Sequence, residues 1–188
     1  MNTQTGVAAY RFTVDEFDKL GEAGIFDEDD RVELLDGEII VMSPIGSQHA
    51  GTVMRMLSAF QDQLGKRAVL DPQNPTVLDE FSEAQPDLMV LRPREDFYTT
   101  RHPVSNDILL LVEVSDTTLA YDSGPKLQKY AQCEISEVWI VNVTARQIEQ
   151  FRAPVGKQYS FSEKKERGDD ISIAAFPGVF FRVKDLIG

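Results

Sequence analysis

Two acidic residues stand at the ends of apolar runs whose composition predicts buried β-strands. Asp87 directly precedes the run at residues 88–91, and Glu113 lies near the end of the run at residues 108–114. A carboxylate beside a buried strand is costly to desolvate unless it is paired, protonated or bound to a metal ion. A lysine, Lys126, follows on a predicted helix. Together these groups predict a divalent-cation site built on neighbouring strands.

Local signals predict the elements that must position these groups. Thr13 followed by Glu16 matches a capping box, which favours a helix start. The Asp-Gly pair at positions 36–37 supplies the positive backbone angles that a two-residue hairpin turn requires. Apolar residues recur every three or four positions over residues 48–64, as in an amphipathic helix. The Gly-Pro pair at positions 124–125 favours another helix start, because proline is tolerated in a first turn.

The predicted elements form a regular series along the chain. They are a helix from 13 to about 21–24, a hairpin over 31–42, a helix over 48–64, strands over 67–71, 76–81, 86–91 and 108–114, a helix over 124–133, a strand over 137–141, and a C-terminal β-meander over 147–152, 158–161 and 179–183. This order is typical of an α/β fold in which helices cover the faces of a mixed sheet.

Composition predicts one globular domain over residues 10–188, preceded by a flexible N-terminus at residues 1–9. The chain has 188 residues, of which 42% are hydrophobic and 27% charged. No apolar stretch approaches the roughly 20 residues that span a bilayer, and the N-terminus lacks a signal-peptide pattern. The single cysteine, Cys133, excludes an internal disulfide framework and fits a reducing cytoplasm.

The net charge of −12 works against loose binding to a polyanion and argues against a DNA-coating protein. It does not exclude an enzyme that meets nucleic acid through metal ions and a local basic strip. The candidate basic groups, which would otherwise be ordinary solvated surface, are Arg92, Arg94 and Arg101 and, separately, Lys164, Lys165 and Arg167.

The pattern around the two carboxylates resembles the PD-(D/E)XK nuclease superfamily. Pro86-Asp87 precedes Glu113-Val114-Ser115 by 26 positions, and Asp122 and Lys126 follow. A wider set in the same order is similar to the Uma2 family of restriction-type endonucleases, over residues 10–185. The set comprises residues 33–39, 42–44, His49, residues 113–115 and 122–130, and the strand at 138–141.

This resemblance implies a fold and an activity. The implied fold is a restriction endonuclease-like mixed β-sheet flanked by helices, with an N-terminal helix-hairpin extension and a C-terminal β-meander. The implied activity is Mg²⁺-dependent hydrolysis of DNA phosphodiester bonds, with Mn²⁺ as a substitute ion. The third motif position holds Ser115 instead of lysine, so the resemblance implies that Lys126 replaces it from the following helix. Lys129, one turn further on, is the rival.

The chemistry expected of these residues follows from their charge. Mg²⁺ is usually held by one or two carboxylates, which would be Asp87 and Glu113, and the backbone carbonyl of Val114 could complete the set. Lys126 would orient or deprotonate the attacking water and stabilise negative charge. Glu33, inside an otherwise apolar strand, is expected to bind a second metal ion or a water that the ion holds.

Ordinary structural roles compete with these assignments. Asp87 could end a turn, and Glu113 could form a structural ion pair with Lys126 or an arginine. Glu33 could be an exposed strand residue. Asp122 could be only a helix cap, and His49 is expected to pack or cap the second helix because Mg²⁺ prefers oxygen ligands.

Two further functions and an assembly stay open at this point. A catalytically degenerate member could serve as a nucleic-acid-binding or assembly module, or a related hydrolase could act on another phosphate-bearing substrate. A duplex cut needs two active sites, which favours a homodimer. The C-terminal third is more apolar than an edge hairpin needs. Its apolar residues could either cover the sheet's own edge or form a dimer interface. They are Ile171, Ile173, Phe176, Val179, Phe180 and Phe181.

Overall fold

The computed structural model describes residues 8–27 and 30–188, so the N-terminus predicted to be flexible lies outside the described residues except for residues 8 and 9. The helices are α1 (Val14–Glu22), α2 (Ser47–Leu64), α3 (Leu119–Tyr121), α4 (Leu127–Gln132) and α5 (Val183–Ile187). The strands are β1 (Val32–Leu35), β2 (Glu38–Val41), β3 (Val69–Pro72), β4 (Thr76–Asp79), β5 (Ser82–Ala84), β6 (Leu88–Leu91), β7 (Ile108–Ser115), β8 (Glu137–Asn142), β9 (Gln147–Val155), β10 (Gln158–Glu166), β11 (Asp170–Ser172) and β12 (Phe180–Arg182). The predicted α/β class is confirmed. No helix in the described ranges has both the length and the apolar character to cross a membrane.

A six-stranded mixed sheet has the strand order β10-β9-β8-β7-β6-β3. Strands β7 and β8 are parallel, and the other neighbouring pairs are antiparallel. Successive side chains point to opposite faces of a strand, so β6 and β7 supply two separate cores. One core lies under α2, where the rings of Phe60 and Trp139 have centroids 5.9 Å apart. The other lies under α4 and includes Tyr130.

The N-terminal hairpin belongs to a second sheet with the order β2-β1-β5-β4. Its turn is the predicted one, since Asp36 and Gly37 have φ values of 50° and 80°. The strand predicted over residues 76–81 is wrong in its second half: the chain turns at residues 80–81 and returns as β5. Strand β5 pairs with β1 through Leu34 and Glu83. The predicted helix-hairpin extension is therefore integrated into a four-stranded sheet.

The C-terminal segment only partly matches the predicted meander. Strands β8, β9 and β10 are consecutive antiparallel neighbours at one edge of the main sheet, as expected. Residues 179–183, however, divide between β12, which pairs with β11 in a separate two-stranded sheet, and the start of α5. The physical reason is burial: Phe181 is 4% exposed and packs edge-to-face on Phe60, with ring centroids 5.0 Å apart.

Candidate functional site

A cavity of about 140 Å³ opens where the start of β6, the end of β7 and the first turn of α2 meet. The segment at residues 42–46 forms part of its wall. Its polar lining comes from elements far apart in the sequence, and includes Arg31, His49, Gln85, Asp87, Glu113, Asp116, Asp122 and Lys126. The cavity is therefore the place where the predicted site residues can act together.

Asp87 and Glu113 both face this cavity from neighbouring strands. Leu88 pairs with Val112 in the β6–β7 ladder, which places the residues next to them, Asp87 and Glu113, at the same end of the two strands. The backbone N–H of Val114 donates a hydrogen bond of 2.8 Å to Asp87 Oδ2. This bond holds the Asp87 carboxylate against β7. Asp87 therefore does more than end a turn, which was the alternative role expected for it.

His49 lies in the first turn of α2 and contacts Asp87. Its Nε2 is 2.7 Å from Asp87 Oδ1. Gly46 is the N-cap residue of the helix, so of the two roles expected for His49, packing or capping, the capping role is wrong. The ring instead lines the cavity and holds the second oxygen of Asp87.

Lys126 is the lysine that meets the carboxylates. Its ammonium is 1% exposed and lies 3.0 Å from Glu113 Oε1 and 3.0 Å from Glu33 Oε2. The rival Lys129 lies elsewhere, 2.5 Å from Asp36 and 2.6 Å from Asp79. The two lysines are three positions apart in sequence but serve different clusters.

A kinked helical turn, Asp122–Lys126, aims Lys126 at the site. The predicted helix start at residues 124–125 coincides with a break in the backbone at Gly124, which separates the helical residues 119–123 from the helix that runs into α4. Gly124 interrupts the helix with φ −109° and ψ −105°, and Pro125 has no N–H to bond. The hydroxyl of Ser115 donates a 2.7 Å hydrogen bond to Asp122 Oδ2, which ties the turn to the end of β7. Asp122 thus anchors the turn and does not cap a helix start.

Glu33 lies behind Lys126, outside the lining of the cavity. The side chain is 2% exposed, so the alternative of an exposed strand residue is wrong. Its Oε1 accepts a 3.1 Å hydrogen bond from the Tyr121 hydroxyl, and its Oε2 accepts one of 3.2 Å from the backbone N–H of Gln85. Because Glu33 lies outside the cavity lining and its Oε2 contacts the Lys126 ammonium, a role as the partner of Lys126 is favoured over that of a second metal ligand.

The charges of the cluster perturb one another strongly. Burial raises the pKa of Glu113 to about 8 against the opposing charge of Lys126, and the negative charge of Asp87 adds to the shift. Burial alone would lower the pKa of Lys126, but the carboxylates of Glu113 and Glu33 outweigh it and hold that pKa above its usual value. The site therefore contains a permanent cation and a carboxyl group whose negative charge a further cation would stabilise.

The donor set fits a hard divalent ion. Within the described ranges, no three His, Cys, Asp or Glu side chains converge as metal ligands. Mg²⁺ does not need three, since it usually takes one or two carboxylates and keeps several waters. Glu113 Oε1 is occupied by Lys126 and the Tyr130 hydroxyl, whereas no hydrogen bond within the described part of the chain uses Glu113 Oε2. This oxygen and the Asp87 carboxylate are the ligand atoms that the two predicted residues offer to the cavity.

Sequence reasoning missed several residues of the site. Tyr121, Tyr130 and Gln85 bond the two glutamates, and Arg31 brings a second cation to the cavity. Tyr121, Gln85 and Arg31 belong to no short motif with the carboxylates, whereas Tyr130 ends the segment 122–130 of the sequence pattern without having been given a role in the site. Only Tyr130 could have been placed near the site from the sequence, because it lies four positions after Lys126 and therefore on the same face of a helix.

Comparisons with known proteins agree with this architecture. The fold is similar to a crystal structure described as "a putative nuclease belonging to DUF820 from Anabaena variabilis", with a TM-score of 0.70 and 16% sequence identity, covering 94% of this chain and 97% of that chain. A search of curated proteins found no match. Residues 14–184 match the sequence model of the Uma2 family, which carries the description "Putative restriction endonuclease". Because this match spans most of the chain, the protein belongs to the Uma2 family.

Proposed function

We propose that the protein is a Mg²⁺-dependent DNA endonuclease that hydrolyses phosphodiester bonds, with Mn²⁺ able to replace Mg²⁺. The observation that carries this proposal is the convergence of Asp87 and Glu113 on one cavity, with the buried ammonium of Lys126 touching Glu113. Phosphodiester hydrolysis needs a nucleophilic water and neutralisation of developing negative charge. Membership of a restriction endonuclease-like family supports DNA as the substrate.

Each residue has a defined part in this proposal. Asp87 and Glu113 would hold the ion, and the carbonyl of Val114 remains the predicted third protein ligand. When bound, the ion would supply Lewis acidity and make water a better nucleophile near neutral pH. Lys126, whose raised pKa keeps it protonated, would orient the attacking water and stabilise charge on the phosphate instead of removing a proton. Glu33 would position Lys126, and His49 would position Asp87.

Cleavage of a plasmid in the presence of Mg²⁺ or Mn²⁺ tests the proposal. EDTA should abolish cleavage, and so should Glu113→Gln, which preserves shape and removes the ligand charge. The matched control is Glu80→Gln, which changes an exposed glutamate in the turn before β5 and should cut normally. Cleavage that survives both EDTA and Glu113→Gln would reject the metal mechanism.

The degenerate alternative rests on Ser115, which occupies the third motif position and is engaged by Asp122. Calorimetric titration with Mn²⁺ separates the two functions. A wild-type protein that binds Mn²⁺ through Asp87 and Glu113 supports the enzyme, whereas a folded protein without such binding supports a nucleic-acid-binding or assembly module.

We also propose that the enzyme works as a homodimer in a reducing cytoplasm. Two sites would cut both strands of a duplex, and a closed two-fold is the commonest oligomer. One free cysteine fits a reducing compartment. Light scattering should report about twice the 21.1 kDa chain mass. A chain that stays monomeric at high concentration would contradict the dimer and favour nicking of one strand.

A further inference from the structure

A second groove, of about 430 Å³, starts at the same first turn of α2 as the cavity. Arg55 of α2 and Arg146 of the β8–β9 turn both line it, together with Ser47 and Gln48 from the start of α2. No acidic side chain of the described residues contributes to the lining, which also includes Gly188, the last residue of the chain, whose terminal carboxylate is the one negative group there and which lies against Arg55. On a chain with a net charge of −12, this groove has the opposite local sign.

Neither guanidinium group is paired with an acidic side chain of the described residues. Both side chains are exposed, and no ion pair or hydrogen bond within the described residues uses either of them. Other arginines are neutralised, since Arg94 pairs with Asp96 and Arg101 pairs with Asp107. In the predicted basic strip, Arg94 and Arg101 are therefore paired with acidic side chains, whereas the two arginines of the groove are not.

Two elements fix the position of the groove relative to the cavity. Along α2, Gly46 and His49 line the cavity, and Ser47 and Gln48 line the groove. On the other side, the backbone N–H of Val143 donates a 3.0 Å hydrogen bond to the carbonyl of Ser115, so the turn that carries Arg146 is tied to the end of β7. The strand that presents Glu113 thus also fixes the position of the groove.

One DNA strand can reach both sites, because His49 in the cavity and Arg55 in the groove are six residues, or about 9 Å, apart along the axis of α2. A helical turn advances about 5.4 Å, and successive phosphates of a DNA strand are about 3.4 Å apart along the duplex axis. A strand whose scissile phosphate sits at the cavity would therefore place a phosphate roughly one to three positions away over the groove.

We propose that this groove binds the DNA backbone beside the scissile phosphate, with Arg55 and Arg146 as the phosphate ligands. Guanidinium groups bind phosphate oxygens through paired N–H bonds. The first turn of α2 contains no acidic residue that would repel the phosphate. The inference rests on the proposed function, because it takes DNA as the substrate.

The test compares two charge-matched double variants in the inactive Glu113→Gln background. One carries Arg55→Gln with Arg146→Gln. The control carries Lys19→Gln with Lys157→Gln, two exposed lysines outside both cavities. Binding to a fluorescent DNA duplex is measured by anisotropy between 50 and 200 mM salt. The arginine variant should lose about tenfold or more in affinity and flatten the salt slope by about two, since each phosphate contact contributes about 0.9. The control should keep the parental slope.

Three outcomes would contradict DNA binding by the groove. They are an unchanged salt slope of DNA affinity in the arginine variant, an equal loss of affinity in the lysine control, and no salt-dependent DNA binding by the Glu113→Gln parent. Failure of the proposed function looks different. If the wild-type protein never cleaves DNA with Mg²⁺ or Mn²⁺ but the arginine-dependent binding is intact, only the catalytic proposal falls.

Discussion

At the scale of single residues, Lys126 is the ion on which the candidate site depends. Its ammonium lies between Glu33 and Glu113, and all three side chains are buried. Removing one partner from a buried ion cluster leaves uncompensated charge and typically costs about 3–5 kcal/mol. We also propose that this ammonium orients the attacking water and stabilises charge on the phosphate. The Lys126 side chain should therefore contribute to both stability and activity.

We expect Lys126→Gln to lower the cleavage rate by about 10²-fold or more, because it removes the positive charge from the cavity. Lys129→Gln is the matched control: it breaks contacts to Asp36 and Asp79 and should lower the melting temperature, but cleavage should stay near the wild-type rate. Cleavage assays and thermal melts of both variants check this.

The double variant Glu33→Gln with Lys126→Gln separates folding from catalysis, because it removes one negative charge along with the positive one. It should regain much of the stability lost in Lys126→Gln and still fail to cleave. Recovery of cleavage in the double variant would show that Lys126 has only a structural role.

Glu83 gives a pH dependence that is independent of the cavity. It is buried on β5, and its Oε2 has no hydrogen-bond partner in the described structure. Burial raises the pKa of Glu83 to about 7, and the negative charge of Asp18 adds to the shift. The folded state therefore holds a proton that the unfolded chain releases at lower pH, and stability falls as pH rises from about 4.5 to about 7.

Glu83→Gln should remove this penalty. At pH 8 we expect a gain of about 1–3 kcal/mol, the usual cost of an unsatisfied buried polar group. That gain corresponds to a melting temperature about 2–10 °C higher. At pH 4.5 the gain should largely vanish. The exposed Glu80→Gln should show no such pH-dependent difference in thermal melts, and a Glu83→Gln gain that is the same at both pH values would contradict the titration.

At the scale of elements, the β1–β2 turn holds Glu33 in place behind Lys126. Gly37 has φ +80°, and a Cβ atom built there would lie 2.5 Å from the Cβ of Arg11. A side chain at this position meets both backbone strain, about 1–2 kcal/mol, and a steric overlap. The turn therefore requires glycine for two separate reasons.

Gly37→Ala should destabilise the protein by about 2 kcal/mol or more in urea unfolding. Gly168→Ala is the control, because nothing lies within 4 Å of its Cβ position and its φ is not positive. It should change stability by no more than about 0.5 kcal/mol. Equal effects of the two substitutions would show that the turn does not require glycine.

Most of the helices and strands were predictable from local sequence signals, and the exceptions have physical causes. Periodicity located α2 and the central strands, and the capping box at Thr13 is present in the structure. The Gly-Pro pair marked the helix that carries Lys126, whereas the short helical segment before the kink at Gly124 was missed because it has no cap or periodic pattern of its own. The contact between His49 and Asp87, 38 residues apart, and the groove formed by Arg55 and Arg146 depend on tertiary packing, which no local pattern encodes.

At the scale of the whole molecule, the C-terminal segment completes the core under α2 and is largely unavailable to a partner. Ile171, Ile173, Phe181 and Val183 are all buried there. A charged residue at position 181 would lie beside Phe60 in this core and should unfold the chain, so this substitution cannot test a dimer interface. Phe180 is the residue of this segment that points outward, at 62% exposed.

The two adjacent phenylalanines give a direct test of this packing. Phe181→Ala should cost about 3–5 kcal/mol, since it removes a buried aromatic ring from a closely packed core. Phe180→Ala should cost no more than about 0.5 kcal/mol, as for a surface substitution. Denaturant unfolding of both variants measures the difference. Similar losses would mean that Phe180 is also covered, and light scattering on Phe180→Glu would then show whether the cover is a second copy of the chain, because a folded monomer should result.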